Sequence, residues 1–292
     1  MIKPNNYMSM GVINITPNSF SDHIDLNNIS SFSDKFNELL NWADCIDLGA
    51  ESTAPFNSPL GSVEELERFE TYFFPFVAST KDPKITISID TYKPEVFYEV
   101  YLVIKKYWPK TKIIFNDVSG KIDDELILLL SDDSLDFDYV FSHNLCPSRD
   151  MTVKHMDYCL KDLDRDLVAE MIHYFQIGLE LVKHLKRRIW IDPCFGFSKT
   201  REQNHYLLKN IHYLLEGFPS HIGFIYGISR KSFLRVPRNL NPKDPSEIKV
   251  LDQMQAILIT DLLRNPLKRD FYFRVHDYSS LKSSFNIMSI LE

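Results

Sequence analysis

Eight short apolar runs, each closing on a polar residue and each followed by turn residues and then by helical spacing, constrain this 292-residue chain more than any other feature. The sharpest is Ile189-Trp-Ile-Asp192-Pro193. Branched and aromatic residues in an unbroken run suit a strand covered on both faces, and Pro193 ends the ladder while steering Asp192 towards extended geometry. Thr200 with Gln203 then forms a capping box that opens a helix over 202–215. Strand, polar loop and helix make one β/α unit.

The unit recurs along the chain. Strands are predicted at 8–13 ending on Asn14, at 45–49, at 84–89 ending on Asp90, and at 112–115 ending on Asn116 and Asp117. Further strands fall at 138–143, 189–192, 222–226 and 271–275. Between them lie helical stripes: Phe32, Phe36, Leu39 and Leu40; Val63, Leu66, Phe69 and Phe73, opened by a capping box of Ser62 and Glu65; and a helix begun by Pro94. A short helix at 125–130, a long one from Leu163 to Val182, one through Val250 to Leu262 and a last one from Tyr278 complete the series. Eight strands alternating with about eight helices predict an α/β fold, a (β/α)8 TIM barrel built as a single domain over 1–292. The competing open, doubly wound sheet lacks its signature, because no G-x-G-x-x-G follows the first strand and no Walker loop occurs.

In a closed barrel the carboxyl ends of the strands converge on one mouth. Asn14, Glu51 to Thr53, Asp90, Asn116, His143, Asp192, Ser229 with Lys231, and Arg274 with His276 all lie at or just past such an end. Any one of them could simply terminate a strand or cap a helix. Together they split into two kinds of chemistry. Asp90, Asn116 and Asp192 suit the NH and NH2 edge of a flat heterocycle, because a carboxylate accepts two neighbouring donors at once. Lys231, Arg274, His276 and Asn14 suit a phosphate or diphosphate. His143 reads as a loop histidine satisfied by backbone. His173, His184, His205 and His212 fall on helices with no second ligand at metal spacing. Phe224, Phe271 and Phe273 read as barrel packing. The charge of −7 argues against a general nucleic-acid surface. No stretch has the length of a membrane span, and the four cysteines form no Cys-x-x-Cys pair, so the expectation is a cytoplasmic protein with reduced thiols.

Seven blocks now stand in order: Met10-Gly-Val-Ile-Asn-Ile-Thr-Pro-Asn-Ser-Phe-Ser-Asp22, Asp47-Leu-Gly-Ala-Glu-Ser-Thr53, Ile87-Ser-Ile-Asp-Thr91, Ile114-Phe-Asn-Asp-Val-Ser119, Asp192-Pro-Cys-Phe-Gly-Phe-Ser-Lys199, Gly227-Ile-Ser-Arg-Lys-Ser232 and Arg274-Val-His-Asp277. They resemble the successive motifs of the dihydropteroate synthase family over nearly the whole chain. The resemblance implies a barrel, usually a homodimer, that joins 6-hydroxymethyl-7,8-dihydropterin pyrophosphate to 4-aminobenzoate in folate synthesis. It implies that Asp90, Asn116, Asp192 and Lys231 hold the pterin, with Arg274 stacking on the ring and meeting phosphate. It further implies that Asn14, Thr53, Arg274 and His276 hold the diphosphate with Mg2+, Asn14 being the metal ligand. Phe20, Pro55, Phe197 and Ser229 would border the aminobenzoate pocket, where sulfonamides would compete.

Four departures matter. The usual Glu-Ser-Thr-Arg-Pro-Gly is here Glu51-Ser-Thr-Ala-Pro-Phe56, so Ala54 replaces an arginine and Phe56 a flexible glycine. Cys194 and Ser198 replace two glycines of the usual Asp-Pro-Gly-Phe-Gly-Phe-Gly-Lys, which should stiffen that loop. Arg149 and Arg235 are the candidate cations to take over from the missing arginine. A pterin-binding relative without synthase activity is the alternative that Ala54 supports. A folate-dependent methyltransferase would share the heterocycle site but has no need of the anion cluster.

Overall fold

In the computed structural model, which describes residues 6–16, 29–53, 58–160, 166–235, 241, 244–264 and 268–291, eight parallel strands close a barrel in sequence order. They are β1 (Tyr7–Asn14), β2 (Cys45–Gly49), β3 (Thr86–Asp90), β4 (Ile113–Asp117), β5 (Asp138–Ser142), β6 (Ile189–Asp192), β7 (Gly223–Tyr226) and β8 (Phe271–Val275). The ring closes where Tyr7 meets Phe271 and Gly11 meets Val275 in register. Around it lie α1 (Ile29–Leu40), α2 (Ser62–Arg68), α3 (Phe74–Ser79), α4 (Pro94–Tyr107), α5 (Asp124–Ser131), α6 (Leu167–Val182), α7 (Arg201–Lys209), α8 (Ile211–Glu216), α9 (Pro245–Leu263) and α10 (Tyr278–Leu291). Every strand expected from the sequence is present.

The two-residue period of a strand decides what the barrel encloses. Met10, Cys45, Ile114, Val140, Trp190, Ile225 and Tyr272 point inward and pack as one buried apolar layer. Two residues further along five of those strands stand Asp47, Asn116, Ser142, Asp192 and Arg274, and β3 adds Ser88 and Asp90. The interior is therefore an apolar plug with a polar layer above it, at the carboxyl ends. Residues of the opposite phase, such as Ile46, Leu48, Ile87, Ile89, Phe115 and Phe141, belong to the larger core between sheet and helices. On the α1 side that core is aromatic: Phe36 lies 4.7 Å from Phe76 and 5.9 Å from Trp108, ring centre to ring centre.

Local differences from expectation have local causes. The strand before Asp90 begins at Thr86, because Lys84 takes a left-handed φ of 56° while its N–H donates to Asp82 Oδ1 at 2.9 Å. The first capping box is displaced by one residue: Glu64 Oε2, not Glu65, accepts from the Gly61 N–H at 3.1 Å. That displacement turns Glu65 inward and leaves Val63 70% exposed. Between α2 and α3 the chain makes a π turn over Phe69–Phe73. The helix expected over 202–215 is divided at Asn210, whose φ of −113° and ψ of 16° are not helical. The box at its start is as expected, with Gln203 N donating to Thr200 Oγ1 and Thr200 N to Gln203 Oε1. Asp166 caps α6, and Leu163 lies outside the described residues. A 3-10 segment, Arg149–Tyr158, follows β5 and was not expected.

Trp190 fills the plug so closely that a Cβ built on Gly223 would lie 2.2 Å from its ring, while Tyr272 packs 4.6 Å away, ring centre to ring centre. Gly223→Ala should therefore destabilise the fold by about 1–3 kcal/mol, the usual cost of overpacking. Urea denaturation checks this, and Gly223→Ala with Trp190→Phe should recover part of the loss.

Candidate active site

The polar layer is organised by one guanidinium. Arg274 Nε donates to Asp47 Oδ2 at 2.6 Å and its Nη2 to Asp90 Oδ2 at 2.5 Å. Asp47 is wholly buried and Arg274 only 19% exposed at its side chain. Asp47 then accepts from Asn116 Nδ2 at 3.1 Å. A carboxylate can only accept, so this contact fixes the amide and turns Asn116 Oδ1 the other way. Asn116 Oδ1 is buried and has no protein partner.

Two carboxylates share one guanidinium. Burial pushes Asp90 up to about 7, with Arg274 opposing and Asp47 adding to the rise. Burial also raises Asp192, against the pull of the Cys194 N–H, which donates to Asp192 Oδ1 at 2.7 Å, and of Arg274, Lys231 and Lys199. Arg274 itself is raised: burial lowers it, but Asp47, Asp90 and Asp192 outweigh that.

Past the ends of β7 and β8, His276 Nδ1 lies 2.9 Å from Ser229 Oγ. Burial first, then Arg230, Arg274 and Lys231, hold His276 well below the usual imidazole value, so it is a neutral member of the anion group and not a cation at pH 7. Arg230 takes a left-handed φ of 55° and is anchored to Asp252 of α9 through Nε and Nη2, both at 3.2 Å. Its neighbour Lys231 lies 5.2 Å from the centre of the Phe197 ring, and burial lowers its pKa.

The loop after β6 is where the chain's substitutions fall. Cys194, Gly196 and Ser198 take positive φ of 50°, 88° and 48°. That alternation explains why glycine is the easy choice at all three, and why Cys194 and Ser198 store about 1–3 kcal/mol each. Lys199 holds the loop down: its Nζ donates to the carbonyls of Cys194 and Phe197 at 3.2 and 3.0 Å and to His143 Nδ1 at 2.9 Å. His143 is thus buried and has a lysine as side-chain partner, which its sequence position did not suggest. Burial lowers Lys199 to about 8 and holds His143 neutral.

At the root of the loop after β2, Glu51 accepts from Leu60 N, Tyr92 Oη and Lys93 Nζ, and Lys93 also meets Glu65 at 2.6 Å. Glu51 is therefore a structural anchor. Thr53 is half-buried, and its carbonyl is engaged by His155. Asn14 ends β1 half-buried beside Gly49. Phe20, Pro55, Ala54 and Phe56 lie outside the described residues.

Of the two candidate cations, Arg149 is not free to replace the missing arginine. Arg149 is saturated by Asp117, both oxygens of Asp123, and the carbonyls of Tyr92 and Lys121. Arg235 Nη2 donates to the carbonyl of Arg230 at 2.9 Å, and its Nε is buried without a partner.

Asp47, Lys199 and His155 were not singled out as site residues from the sequence. A carboxylate two places beyond buried Cys45 on an inward-facing phase was a usable signal for Asp47. Lys199 closes the block that begins at Asp192, which was its signal; for His155 there was none, since it acts across loops.

A closed β/α barrel carrying acceptors and an arginine inside its mouth, with a lysine and a histidine on the rim, defines a heterocycle-and-anion-binding barrel enzyme. Residues 10–265 match the pterin binding enzyme family, and the chain belongs to it. It is 30% identical over 246 residues to the dihydropteroate synthase of Synechocystis sp., covering 82% of this chain and 76% of that one. A dihydropteroate synthase of Streptococcus pyogenes is 29% identical over 226 residues, covering 76% and 74%. Among solved structures, dihydropteroate synthase from Clostridium difficile, determined in the presence of pteroic acid, aligns with a TM-score of 0.73 at 27% identity over 98% and 97% of the two chains. The Anaplasma phagocytophilum enzyme with bound 6-hydroxymethylpterin-monophosphate aligns at 0.70 and 25%, over 98% and 100%.

Removing Arg274 would leave two acids buried without a counterion. Arg274→Met should cost about 3–5 kcal/mol of unfolding free energy at pH 7, with a smaller loss at pH 5, where Asp90 carries a proton. Asp90 binds its proton more tightly folded than at its ordinary value of 3.8. Its contribution to stability therefore falls as pH rises from about 4 to about 7. Denaturation across that range should show the slope, and Asp90→Asn should flatten it.

Proposed function

We infer that this chain is a transferase that joins 6-hydroxymethyl-7,8-dihydropterin pyrophosphate to 4-aminobenzoate and releases diphosphate, the dihydropteroate synthase step of folate biosynthesis. The observation that carries this is Asn116 Oδ1, a buried acceptor without a protein partner, in the same layer as Asp90 and Asp192. Such an atom is costly unless a ligand donor meets it. A pterin edge has the NH and NH2 groups for the task, and the family and its dihydropteroate synthase relatives support that ligand.

In this reading Asp90, Asn116 and Asp192 orient the pterin, and Arg274 screens the acids beneath it. Lys231, His276, Thr53 and Asn14 receive the diphosphate, Arg274 being held by Asp47 and Asp90 instead, and Ser229 with Phe197 borders the aminobenzoate. The C–O bond to diphosphate breaks with its electron pair leaving on oxygen, the aminobenzoate nitrogen bonds to the methylene carbon, and that nitrogen gives up a proton. Lys231 and neutral His276 stabilise the charge on the departing oxygen, so no covalent protein nucleophile is needed.

Among the described residues no group of three or more His, Cys, Asp or Glu side chains is arranged to hold a metal ion. The donors at the anion end, Asn14 foremost, fit Mg2+ that arrives on the diphosphate, since this ion keeps waters and takes few protein ligands. What it supplies when bound is neutralisation of the leaving group's charge.

A homodimer and a cytoplasmic location complete the proposal. Ile177 and Leu181 of α6 and Tyr213 of α8 are 54%, 50% and 67% exposed, an apolar surface that suits a second copy. Among the described residues no helix is long and apolar enough to cross a membrane.

The deciding experiment supplies the pterin diphosphate and Mg2+ with and without 4-aminobenzoate and follows diphosphate release and dihydropteroate. The expected outcome is release that depends on aminobenzoate and is competed by sulfonamides. Pterin binding by calorimetry with no dihydropteroate would instead identify a relative that keeps the pocket for another role. Ala54→Arg should lower the KM for aminobenzoate by about 10-fold, the effect of one regained charge-assisted contact. An unchanged KM would show that position 54 does not contact this substrate.

A further inference from the structure

The 3-10 segment Arg149–Tyr158 contributes a residue that nothing above assigns a task. Its base is fixed by Arg149, which ties it to the loops after β3 and β4 through Tyr92, Asp117, Lys121 and Asp123. From that base the His155 ring reaches two further loops. It stacks on Phe197 with ring centres 4.1 Å apart and planes inclined by 20°. Its Nε2–H donates to the Thr53 carbonyl at 3.2 Å, and its Nδ1 accepts from the Ser198 N–H at 3.5 Å. Burial lowers its pKa to about 4, so at pH 7 the ring is neutral, with one nitrogen donating and the other accepting.

Ser198 closes the same junction independently. Its Oγ accepts from Leu145 N at 3.0 Å and lies 3.1 Å from the His155 carbonyl and 3.2 Å from Asn144 Oδ1, with one proton to donate between them. A glycine at 198 would accept the left-handed φ without cost but could make none of these contacts. Serine exchanges backbone ease for a fixed loop.

We infer that His155 is a positioning residue for the second substrate: with Ser198 it clamps the loop after β6 and the Thr53 end of the loop after β2, and so holds Phe197 in place as one wall of the aminobenzoate pocket. The clamp rests on the function inferred above for the identity of that substrate and for Phe197 as a wall of its pocket. Asp90, Asn116 and Asp192 lie on the strands, not on the clamped loops, so the clamp acts on aminobenzoate and leaves the contacts to the pterin ring alone.

The test uses the full chain with His155→Ala, His155→Phe and Ser198→Gly. With pterin diphosphate saturating, His155→Ala should raise the KM for 4-aminobenzoate about 10-fold, the scale of one lost stacking and hydrogen-bonding side chain. Its kcat should change less than the KM, and calorimetric affinity for the unphosphorylated hydroxymethylpterin less than about twofold, since the strand-borne contacts to the ring are untouched. His155→Phe should return part of the loss, because it restores a flat face against Phe197. Amide hydrogen exchange over residues 196–198 reads the clamp without turnover, and should quicken at least about 10-fold in His155→Ala and in Ser198→Gly. A wild-type chain that turns over while His155→Ala leaves the aminobenzoate KM unmoved, or shifts pterin affinity equally, overturns the inference. A wild-type chain that makes no dihydropteroate overturns the function instead, and exchange at 196–198 then decides the clamp: unchanged rates in the variants refute it.

Discussion

The rest of the molecule depends on a geometric constraint: in a closed barrel every second residue of a strand faces a space that must be filled or used. Here one layer of that space is filled by Met10, Cys45, Ile114, Val140, Trp190, Ile225 and Tyr272. The next layer cannot be filled the same way without closing the mouth. It carries Asp47, Asp90, Asn116, Asp192 and Arg274, and the site is the consequence. The plug beneath supplies the apolar floor that makes their charges matter, since a low-dielectric wall strengthens every interaction above it.

Electrostatics then set the order of the site. Arg274 is placed between Asp47 and Asp90 and cannot neutralise both. Burial deprives Asp90 and Asp192 of solvent partners, raises both above the usual carboxylate value and leaves them in want of donors. Asn116 is oriented by Asp47 so that its oxygen is the atom left over. A layer of acceptors short of donors is a specific request for a ligand edge rich in NH groups.

Around this rigid layer the rim is assembled from loops that hold one another. Lys199 pins the loop after β6 from below through His143, and His155 with Ser198 pins it from outside. Glu51, Lys93 and Glu65 brace the loop after β2. Positions where glycine would be expected carry cysteine and serine, and the strain of Cys194 and Ser198 is offset by bonds their neighbours provide, Cys194 N to Asp192 and Ser198 Oγ to Leu145.

How much was legible follows from range. Strand order, the barrel and the strand-end residues Asp90, Asn116, Asp192, Ser229, Lys231, Arg274 and His276 were readable because periodicity and turn chemistry are local properties of a sequence. The capping box at Thr200 was readable for the same reason, while the one before α2 moved a residue and sent Glu65 inward to Lys93. By itself the sequence determined which residues reach the mouth, since a strand's phase settles that. Only the tertiary structure decided what they do to each other: that Asp47 shares Arg274 with Asp90, that Arg149 is consumed as a brace, that His143 answers a lysine, and that His155 reaches Phe197. These depend on strands and loops that meet across the barrel and its mouth, and distance along the chain carries no trace of which side chain closes such a gap.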